Sequence, residues 1–409
     1  MKRVVVTGMS CITALGDDWE TFEKNLKKKE NAIVYMDAWD AYSDLNTRLG
    51  GPVANFKKPS HYPRKKIRSM GRVSLLATRA TELALEQACL IDDPLVQSGQ
   101  MGIAYGSCSG STDAIMDFGN MLLNKVSDGL TATTYIKMMS HSAPVNMGVF
   151  FGVKGRVYTT SSACTSGSQG IGYAYEAIRE GRQVAMLAGG AEELCPTQAA
   201  VFDTLFATST LNSNPKAAPR PFDQDRDGLV IGEGAGTFVL EELEHAKARG
   251  ATIYAEVVGF GTNSDGAHVT SPSKETMQVA IELALQDAQL APSDIGYVNA
   301  HGTATDQGDV AESQATSAVF GPQQPISSLK SYLGHTLGAC GAIEAWTSIN
   351  MMNNGWYHPT INLENIDERC GELDFIRGDG KTMDNGFVMS NNFAFGGINT
   401  SLIFKRWDR

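Results

Sequence analysis

Runs of small and β-branched apolar residues alternate with amphipathic stretches along the chain. KRVVVTG, MGIAYGS and TIYAEVVGFG are apolar runs, whereas VSLLATRATELALEQACL and SKETMQVAIELALQDAQL repeat their apolar residues at helical spacing. Continuous apolar runs predict strands that are buried on both faces. Their alternation with helices predicts an α/β fold in which helices cover mixed sheets.

One local pattern occurs twice. VYTTSSACTSGSQGIGYAYEAI predicts a strand, a turn of small residues and a helix rich in Gly and Ala, and ISSLKSYLGHTLGACGAIEAWTSI repeats that order. The first turn carries Cys164, and the second carries Lys330 and His335. Duplicated halves that face each other would bring the two turns together. We therefore divide the chain into residues 1–250, with Cys164, and residues 251–409, with the second turn.

Composition limits the class of protein. The 409 residues are 42% hydrophobic and 19% charged, with a formal net charge of -11, which argues against nucleic-acid binding. No apolar stretch approaches the roughly 20 residues of a membrane span. The short apolar run at the start leads into a Thr-Gly turn and is read as a first strand, not a signal peptide. Seven cysteines without a CxxC pair predict reduced thiols in a cytoplasmic protein.

Cys164 is the candidate nucleophile. It lies among small residues in TTSSACTSGSQG, directly before a predicted helix. The helix N-terminus should lower the pKa of the thiol and supply half of an oxyanion hole. The alternative is an ordinary packed core cysteine.

Two histidines stand beside glycines at predicted strand ends. His301 lies in NAHGTATDQGD, and His335 follows Lys330 in SSLKSYLGHTLGA. A Cys-His-His set differs from the Cys-His-Asn of papain-like proteases, and a second histidine suits stabilisation of an enolate. Zinc binding is disfavoured, because no HxxH or CxxC pair would nucleate the site.

Two other motifs suggest different chemistry. FDQDRDGLVIGEG has Asp223, Asp225 and Asp227 at EF-hand spacing, but the twelfth position, which requires Glu, is Gly234, so calcium is rejected. GSCSG fits a nucleophile elbow centred on Cys108, which leaves a cysteine hydrolase as a distant alternative. The preferred interpretation is a wall of small residues beside a pocket.

A basic stretch, HYPRKKIRSMGR, stands out in this acidic protein. One interpretation is a solvated helix face. The other is a docking surface for an acidic partner, formed by Arg64, Lys65, Lys66 and Arg68.

Taken together, seven motifs point to one family. In chain order they are SSACTSG, AGGAEE, RPFDQDRDGLVIGEGAG, VGFGTNSDGAHVTSP, NAHGTATDQGD, KSYLGHTLGACGAIEA and SNNFAFGGIN. With them the chain resembles, over essentially its whole length, the elongating β-ketoacyl-[acyl-carrier-protein] synthases, condensing enzymes of the thiolase-like superfamily. The resemblance implies an α/β, duplicated five-layer αβαβα thiolase-like fold with two mixed sheets.

The resemblance also implies roles for individual residues. The catalytic set is Cys164, His301, His335 and Lys330. Phe395 is the gate, and its N–H joins that of Cys164 in the oxyanion hole. The supporting acids are Asp309, Glu312 and Glu344; the residues for the pantetheine arm are Ser271, Thr303 and Thr305; those of the acyl pocket are Cys108, Ser109 and Phe202.

The activity implied is that of an acyltransferase. An acyl group passes from its carrier protein to Cys164, and malonyl carrier protein then loses CO2 and condenses with it to give a 3-oxoacyl product. His301 and His335, both uncharged, donate to the enolate through Nε2. The expected partner is acyl carrier protein, in a homodimer or in a heterodimer with a chain-length subunit. Neither a metal nor another cofactor is expected.

Departures from the family pattern concern the walls of the site. KSYLGH has Leu333 where a small or polar residue is common, and SNNFAFGGIN has Asn392, Ala394 and Ile398 where NSFGFGGTN has Ser, Gly and Thr. Either fatty acid elongation or a polyene or polyketide-type pathway is therefore expected. The alternatives are a non-catalytic chain-length or scaffold subunit, which should lack the nucleophile, and a coenzyme A-dependent thiolase, which needs a second cysteine where this chain has Phe395.

Overall fold

The strands follow the predicted apolar runs, except that the first strand continues through Thr7 and Gly8, where the sequence predicted a turn. The computed structural model describes residues 1–408. Within that range the chain forms sixteen strands: β1 Val4–Ile12, β2 Val34–Tyr35, β3 Leu49–Gly51, β4 Met101–Gly106, β5 Val157–Thr159, β6 Ala185–Glu192, β7 Ile231–Gly232, β8 Gly234–Glu242, β9 Ala255–Ser264, β10 Tyr297–Asn299, β11 Pro325–Ser327, β12 Trp356–Tyr357, β13 Asp374–Phe375, β14 Lys381–Thr382, β15 Phe387–Phe393 and β16 Ile398–Arg406.

The helices lie between these strands. Over the described residues there are fourteen α-helices: α1 Trp19–Lys27, α2 Arg64–Ile67, α3 Arg72–Gln87, α4 Pro94–Gln97, α5 Thr112–Asn124, α6 Ala132–Met138, α7 Ser142–Phe151, α8 Ser166–Arg179, α9 Pro196–Asp203, α10 Leu243–Ala248, α11 Lys274–Ala288, α12 Asp306–Phe320, α13 Lys330–Leu333 and α14 Cys340–Asn354. No helix within residues 1–408 combines the length and apolar character needed to cross a bilayer.

The main sheet repeats one strand order. Its first half runs β5-β4-β6-β8-β1 and its second half β11-β10-β15-β16-β9, with β13 added at the far edge. In both halves the first three strands are parallel and the last two pair antiparallel with their neighbours. The duplication that the two similar sequence patterns predicted is therefore confirmed.

The two halves are also joined at one edge. Val4–Val6 of β1 pair antiparallel with Ala255–Val257 of β9, so the two expected mixed sheets form one continuous 11-stranded sheet. The connecting ladder is only three residue pairs long. The two halves beyond it diverge and enclose α8 and α14, which pack against strands of both halves.

The outer layers are helices packed closely on the sheet. A Cβ on Gly8 of β1 would lie 2.2 Å from the Ala84 carbonyl oxygen of α3, and one on Gly261 of β9 would lie 2.1 Å from the Ala280 carbonyl oxygen of α11. Only glycine permits such close contact of helix and strand. The order of layers is outer helices, sheet, α8 with α14, sheet, outer helices, which is the predicted αβαβα arrangement.

Candidate active site

The nucleophile candidate lies on a constrained turn. Cys164 belongs to a 3₁₀ turn, Ala163–Thr165, that leads into α8, and it is 3% exposed. Ala163 has φ 52°, in the left-handed region that few non-glycine residues adopt. The second half repeats this geometry at Leu337, with φ 47°, in the 3₁₀ turn that leads into α14. The duplicated turns bring Cys164 Sγ to 2.9 Å from His335 Nε2.

The pKa of Cys164 differs from the sequence expectation. Burial raises it to about 11, although the backbone N–H of Phe395, the Lys330 charge and the backbone N–H of Cys164 itself lower it. The backbone N–H groups at the start of the helix lower the pKa, as predicted, but desolvation of the fully enclosed sulfur outweighs them. The N–H groups of Phe395 and Cys164 both lie beside the sulfur, where the carbonyl oxygen of a bound thioester would be in reach of them.

Hydrogen bonds select the tautomer of each histidine. His335 Nδ1 accepts from the Leu337 N–H at 3.2 Å, which leaves the proton on Nε2, facing Cys164. His301 Nδ1 faces Lys330 Nζ at 3.2 Å, which likewise leaves its proton on Nε2. The two rings are 5.1 Å apart and nearly perpendicular. Burial first, and then the Lys330 charge, holds the pKa of both histidines well below the ordinary value, so both are neutral.

Lys330 is charged although it is buried. Its Nζ lies 2.5 Å from Glu344 Oε1, and both side chains are 2% exposed. Burial lowers the pKa of Lys330, but Glu344, together with Cys340 and Glu312, raises it above its ordinary value. Lys330 therefore presents its positive charge to His301.

Two carboxylates of α12 hold the loop that carries His301. Glu312 accepts the N–H groups of His301 and Gly302, each at 2.6 Å. Asp309 accepts those of Thr303 and Ala304 at 3.0 and 3.1 Å. The two acids thus bind four consecutive backbone groups of the loop.

A cavity of about 380 Å³ opens onto Cys164 and the two histidines. Thr303, Thr305 and Ser271 line it, and the hydroxyls of the two threonines are 2.9 Å apart. Phe202 and Phe395 also line it, with ring centroids 5.8 Å apart in an edge contact. The five residues predicted to contact the pantetheine arm, to form the gate or to line the acyl pocket therefore all line one cavity.

Three residues that the sequence analysis placed in the wall of the site do not line this cavity. The cavity does not reach Cys108 or Ser109; Cys108 packs with Phe202 in the apolar cluster around Leu337, and its N–H donates to Glu192 at 2.7 Å. That Cys108 and Ser109 contact an acyl chain stays a prediction. The placement of Leu333 in the wall was wrong, because α13 packs its side chain into the central core, where it is 3% exposed.

The hydrolase alternative loses its support. Burial raises the pKa of the Cys108 thiol well above its ordinary value, and the Glu192 carboxyl beside it raises that pKa further. Within residues 1–408 no hydrogen bond joins the Cys108 thiol to a histidine, which a cysteine hydrolase needs as its base, whereas Cys164 Sγ lies 2.9 Å from His335 Nε2.

The basic stretch lies on the surface. Arg64, Lys65, Lys66 and Arg68 are exposed on and after α2. Lys66 is also held in place, since its Nζ donates to the Phe150 carbonyl at 2.7 Å. The structure therefore leaves a solvated cationic face, as both interpretations of this stretch require.

Sequence reasoning missed three buried groups beside the site. Asn392 Nδ2 donates to Glu344 at 2.7 Å, Cys340 Sγ lies 3.2 Å from the Cys164 carbonyl oxygen, and Glu192 accepts the Gly338 N–H at 3.2 Å. Burial raises the pKa of Glu192 to about 7. In the sequence, Asn392 is visible only as a departure from the family pattern, which has serine at this position. The signal for Glu192 was an acid at the end of an otherwise apolar strand.

The possible ligand atoms of the site also lie close enough together to bind a metal ion. One donor atom from each of Cys164, His301 and His335 lies within 4.8 Å of the others. The Lys330 ammonium, 3.2 Å from His301 Nδ1, opposes a second cation there. We therefore interpret the set as hydrogen-bond donors around a nucleophile.

Two family models together match most of the chain. The family model "Beta-ketoacyl synthase, N-terminal domain" matches residues 1–246, and "Beta-ketoacyl synthase, C-terminal domain" matches residues 254–364. The chain is 39% identical to the 3-oxoacyl-[acyl-carrier-protein] synthase 2 of Vibrio cholerae, with 99% of each chain covered.

Solved structures agree as well. A β-ketoacyl synthase from Burkholderia phymatum superposes with a TM-score of 0.99 at 59% identity, over 100% of both chains. The ishigamide ketosynthase/chain length factor superposes with a TM-score of 0.90 at 29% identity, over 100% of both chains.

Proposed function

This chain belongs to the β-ketoacyl-[acyl-carrier-protein] synthase family of the thiolase-like superfamily, and we propose how its cavity carries out the reaction of that family. The enzyme is an acyltransferase that elongates an acyl chain and forms 3-oxoacyl carrier protein. One observation carries the assignment of roles: Cys164 Sγ lies 2.9 Å from His335 Nε2, and the His301 ring lies edge-on to that histidine.

The first half-reaction transfers the acyl group. Cys164 sulfur attacks the thioester carbonyl of the acyl carrier protein, and the bond between that carbonyl and the pantetheine sulfur breaks. The proton of the Cys164 thiol leaves with the pantetheine thiol. His335 Nε2–H stabilises the sulfur as it ionises, while the N–H groups of Cys164 and Phe395 bind the oxyanion.

The second half-reaction removes CO2 from the malonyl group and forms the new bond. The electron pair of the broken C–C bond becomes an enolate, and its oxygen accepts from Nε2–H of His301 and of His335. The enolate carbon then attacks the acyl group on Cys164, whose sulfur leaves and takes up a proton. Both histidines are neutral donors before the reaction, which suits an oxyanion that develops between them.

Carrier recognition uses the rest of the cavity and the basic surface. Thr303, Thr305 and Ser271 are proposed to contact the pantetheine arm, because these hydroxyl-bearing residues line the cavity that contains Cys164. The exposed cations of α2 are proposed to dock an acidic carrier protein. The partner named for the Vibrio cholerae relative is an acyl carrier protein, which supports this choice.

A dimer is the proposed assembly. Strand β5 is an edge of the main sheet with unpaired backbone groups, and Val157 on it is 48% exposed. Leu122 and Leu123 of α5 are 63% and 80% exposed. The partner is a second copy or a chain-length subunit, and the ishigamide ketosynthase/chain length factor supports the latter.

Two further proposals concern the division into domains and the location of the protein in the cell. The division into functional halves at residues 1–250 and 251–409 is supported by the repeated strand order. A cytoplasmic location is supported by seven cysteines, all of them unpaired.

The test separates the half-reactions. Cys164→Ala should form no acyl adduct and no condensation product. His301→Ala should still take an acyl group onto Cys164, because that step depends on His335 and the oxyanion hole, but should fail to release CO2 from malonyl carrier protein. Intact-protein mass spectrometry and CO2 release measure the two steps. An unacylated wild-type Cys164 would favour a non-catalytic chain-length subunit.

A further inference from the structure

Asn392 closes a ring of contacts behind His301. It lies on β15 and is fully buried. Its Nδ2 is 2.7 Å from Glu344 Oε2 and 3.4 Å from His301 Nδ1. Glu344 Oε1 binds Lys330 Nζ at 2.5 Å, and that ammonium lies 3.2 Å from the same His301 nitrogen. Glu344 is thus connected to His301 twice, once through Lys330 and once through Asn392.

The chemistry of the partners determines which way the Asn392 amide points. A carboxylate only accepts hydrogen bonds, so the amide must present its NH2 group, and not its oxygen, to Glu344. Asn392 Oδ1 then has no hydrogen-bond partner among residues 1–408. An unpaired buried oxygen costs free energy. Asn392 therefore serves the contacts of its nitrogen rather than the satisfaction of its own polar atoms.

The ring also determines the state of His301. Lys330 Nζ and Asn392 Nδ2 are both donors, and both face His301 Nδ1. A proton on Nδ1 would point at two other hydrogen-bond donors, which is unfavourable. Nδ1 therefore keeps its lone pair, and Nε2 carries the proton. An amide NH2 has two protons, which can serve Glu344 Oε2 and His301 Nδ1, while Cys340 Sγ lies farther from Nδ2, at 3.7 Å. The serine of the usual family pattern has a single hydroxyl proton and cannot make both contacts.

We propose that Asn392 is a positioning residue for the decarboxylation half-reaction, which holds the His301 ring and the Glu344 carboxylate so that His301 Nε2–H points at the enolate oxygen. The proposal rests on the role of His301 under the proposed function. Acyl transfer does not need this ring, because His335 and the oxyanion hole contact Cys164 directly.

The main test is Asn392→Leu, which keeps the branched outline of the side chain, although leucine is larger, and removes both N–H donors. CO2 release from malonyl carrier protein should fall about tenfold or more, whereas acylation of Cys164 should change by less than about threefold. The variant also removes one of the two donors that face His301 Nδ1, so that nitrogen takes up a proton more readily. In a plot of the decarboxylation rate against pH, the loss of activity on the acid side should therefore begin at a higher pH. Besides Asn392, the groups around His301 are Lys330, Glu344, Glu312, His335, Cys164 and Cys340.

Thr400→Val is the matched control. Thr400 is equally buried, pairs with Asn392 across the β15–β16 ladder, and contacts only its backbone oxygen, at 3.2 Å, and the Ser168 hydroxyl. This variant should lower stability without separating the two half-reactions. If Asn392→Leu does not fold, Asn392→Ser is judged by the same criterion of a selective loss of CO2 release.

Two results would overturn the proposal. An equal fall in the rates of both half-reactions would mean that Asn392 only contributes to packing. The same conclusion would follow if the acid side of the pH profile for decarboxylation did not shift. His301→Ala is run in parallel, so that the two proposals can fail separately. If His301→Ala releases CO2 normally, the proposed function is wrong. If it does not, but Asn392→Leu behaves as the wild type, only the role of Asn392 is wrong.

Discussion

His335 Nε2 lies 2.9 Å from Cys164 Sγ, although the two residues are 171 positions apart. Each stands on a turn that precedes an inner helix, and the two helices pack together between the halves of the main sheet. Gene duplication would produce such a pair of turns, and their divergence would leave a nucleophile on one and a hydrogen-bond donor on the other. The active site is thus formed where two similar structures meet.

The reactivity of Cys164 should increase steeply with pH. Because burial raises its pKa to about 11, the thiolate fraction grows about tenfold per pH unit below that value. The rate of alkylation by iodoacetamide, measured from pH 6.5 to 9.5 with the modified residue identified by mass spectrometry, should follow that slope. A plateau near pH 7 would show instead that the helix N-terminus and Lys330 outweigh burial.

The two histidines should make the fold less stable in acid. Their pKa values lie well below the ordinary value of 6.5 in the native state, through burial and the Lys330 charge. Below pH 6.5 the unfolded chain therefore binds protons that the native protein does not, and stability falls as pH falls. Each histidine contributes up to about 1.4 kcal/mol per pH unit in this range.

Urea unfolding of wild type and His335→Gln between pH 6.5 and 5 tests this. The difference in unfolding free energy should change by about 1 kcal/mol per pH unit, with the variant less sensitive to acid. Parallel curves would mean that His335 titrates normally in the native protein.

Removing Glu312 should loosen the loop that carries His301. Glu312→Ala leaves the His301 and Gly302 N–H groups without their acceptors inside the protein. The expected cost is about 2 kcal/mol or more of unfolding free energy, with a larger loss of CO2 release than of acyl transfer. Gln314→Ala, on the same helix, is the control, because Gln314 contacts only the Arg369 carbonyl. Equal effects of the two variants would contradict a role in holding the loop.

Charge reversal on α2 should weaken carrier binding selectively. Lys65→Glu with Arg68→Glu should raise KM for acyl carrier protein about tenfold and leave KM for a small thioester nearly unchanged. Lys66 is left intact, because it also holds the Phe150 carbonyl. Lys24→Glu, an exposed cation on α1, is the control. The same rise in KM for both substrates would mean that the surface does not dock the carrier.

Local patterns in the sequence predict the fold class and the residues at the centre of the site. Apolar periodicity predicted the strands and helices, and two similar strand-turn-helix patterns predicted the duplication that the strand order confirms. Cys164, His301, Lys330 and His335 were identified because reactive side chains stand out in turns of small residues. These features depend on local order along the chain, which is why they can be read without a structure.

The pKa values of the buried groups and the lining of the cavity depend on the tertiary structure. Burial, which no local pattern records, raises the pKa of Cys164 against the helix N-terminus that the sequence shows. The packing of α13 turns Leu333 into the core, and the meeting of β15 with α14 places Asn392 between Glu344 and His301. Desolvation and contact depend on which distant segments enclose a group, and that is fixed only when the two halves close around it.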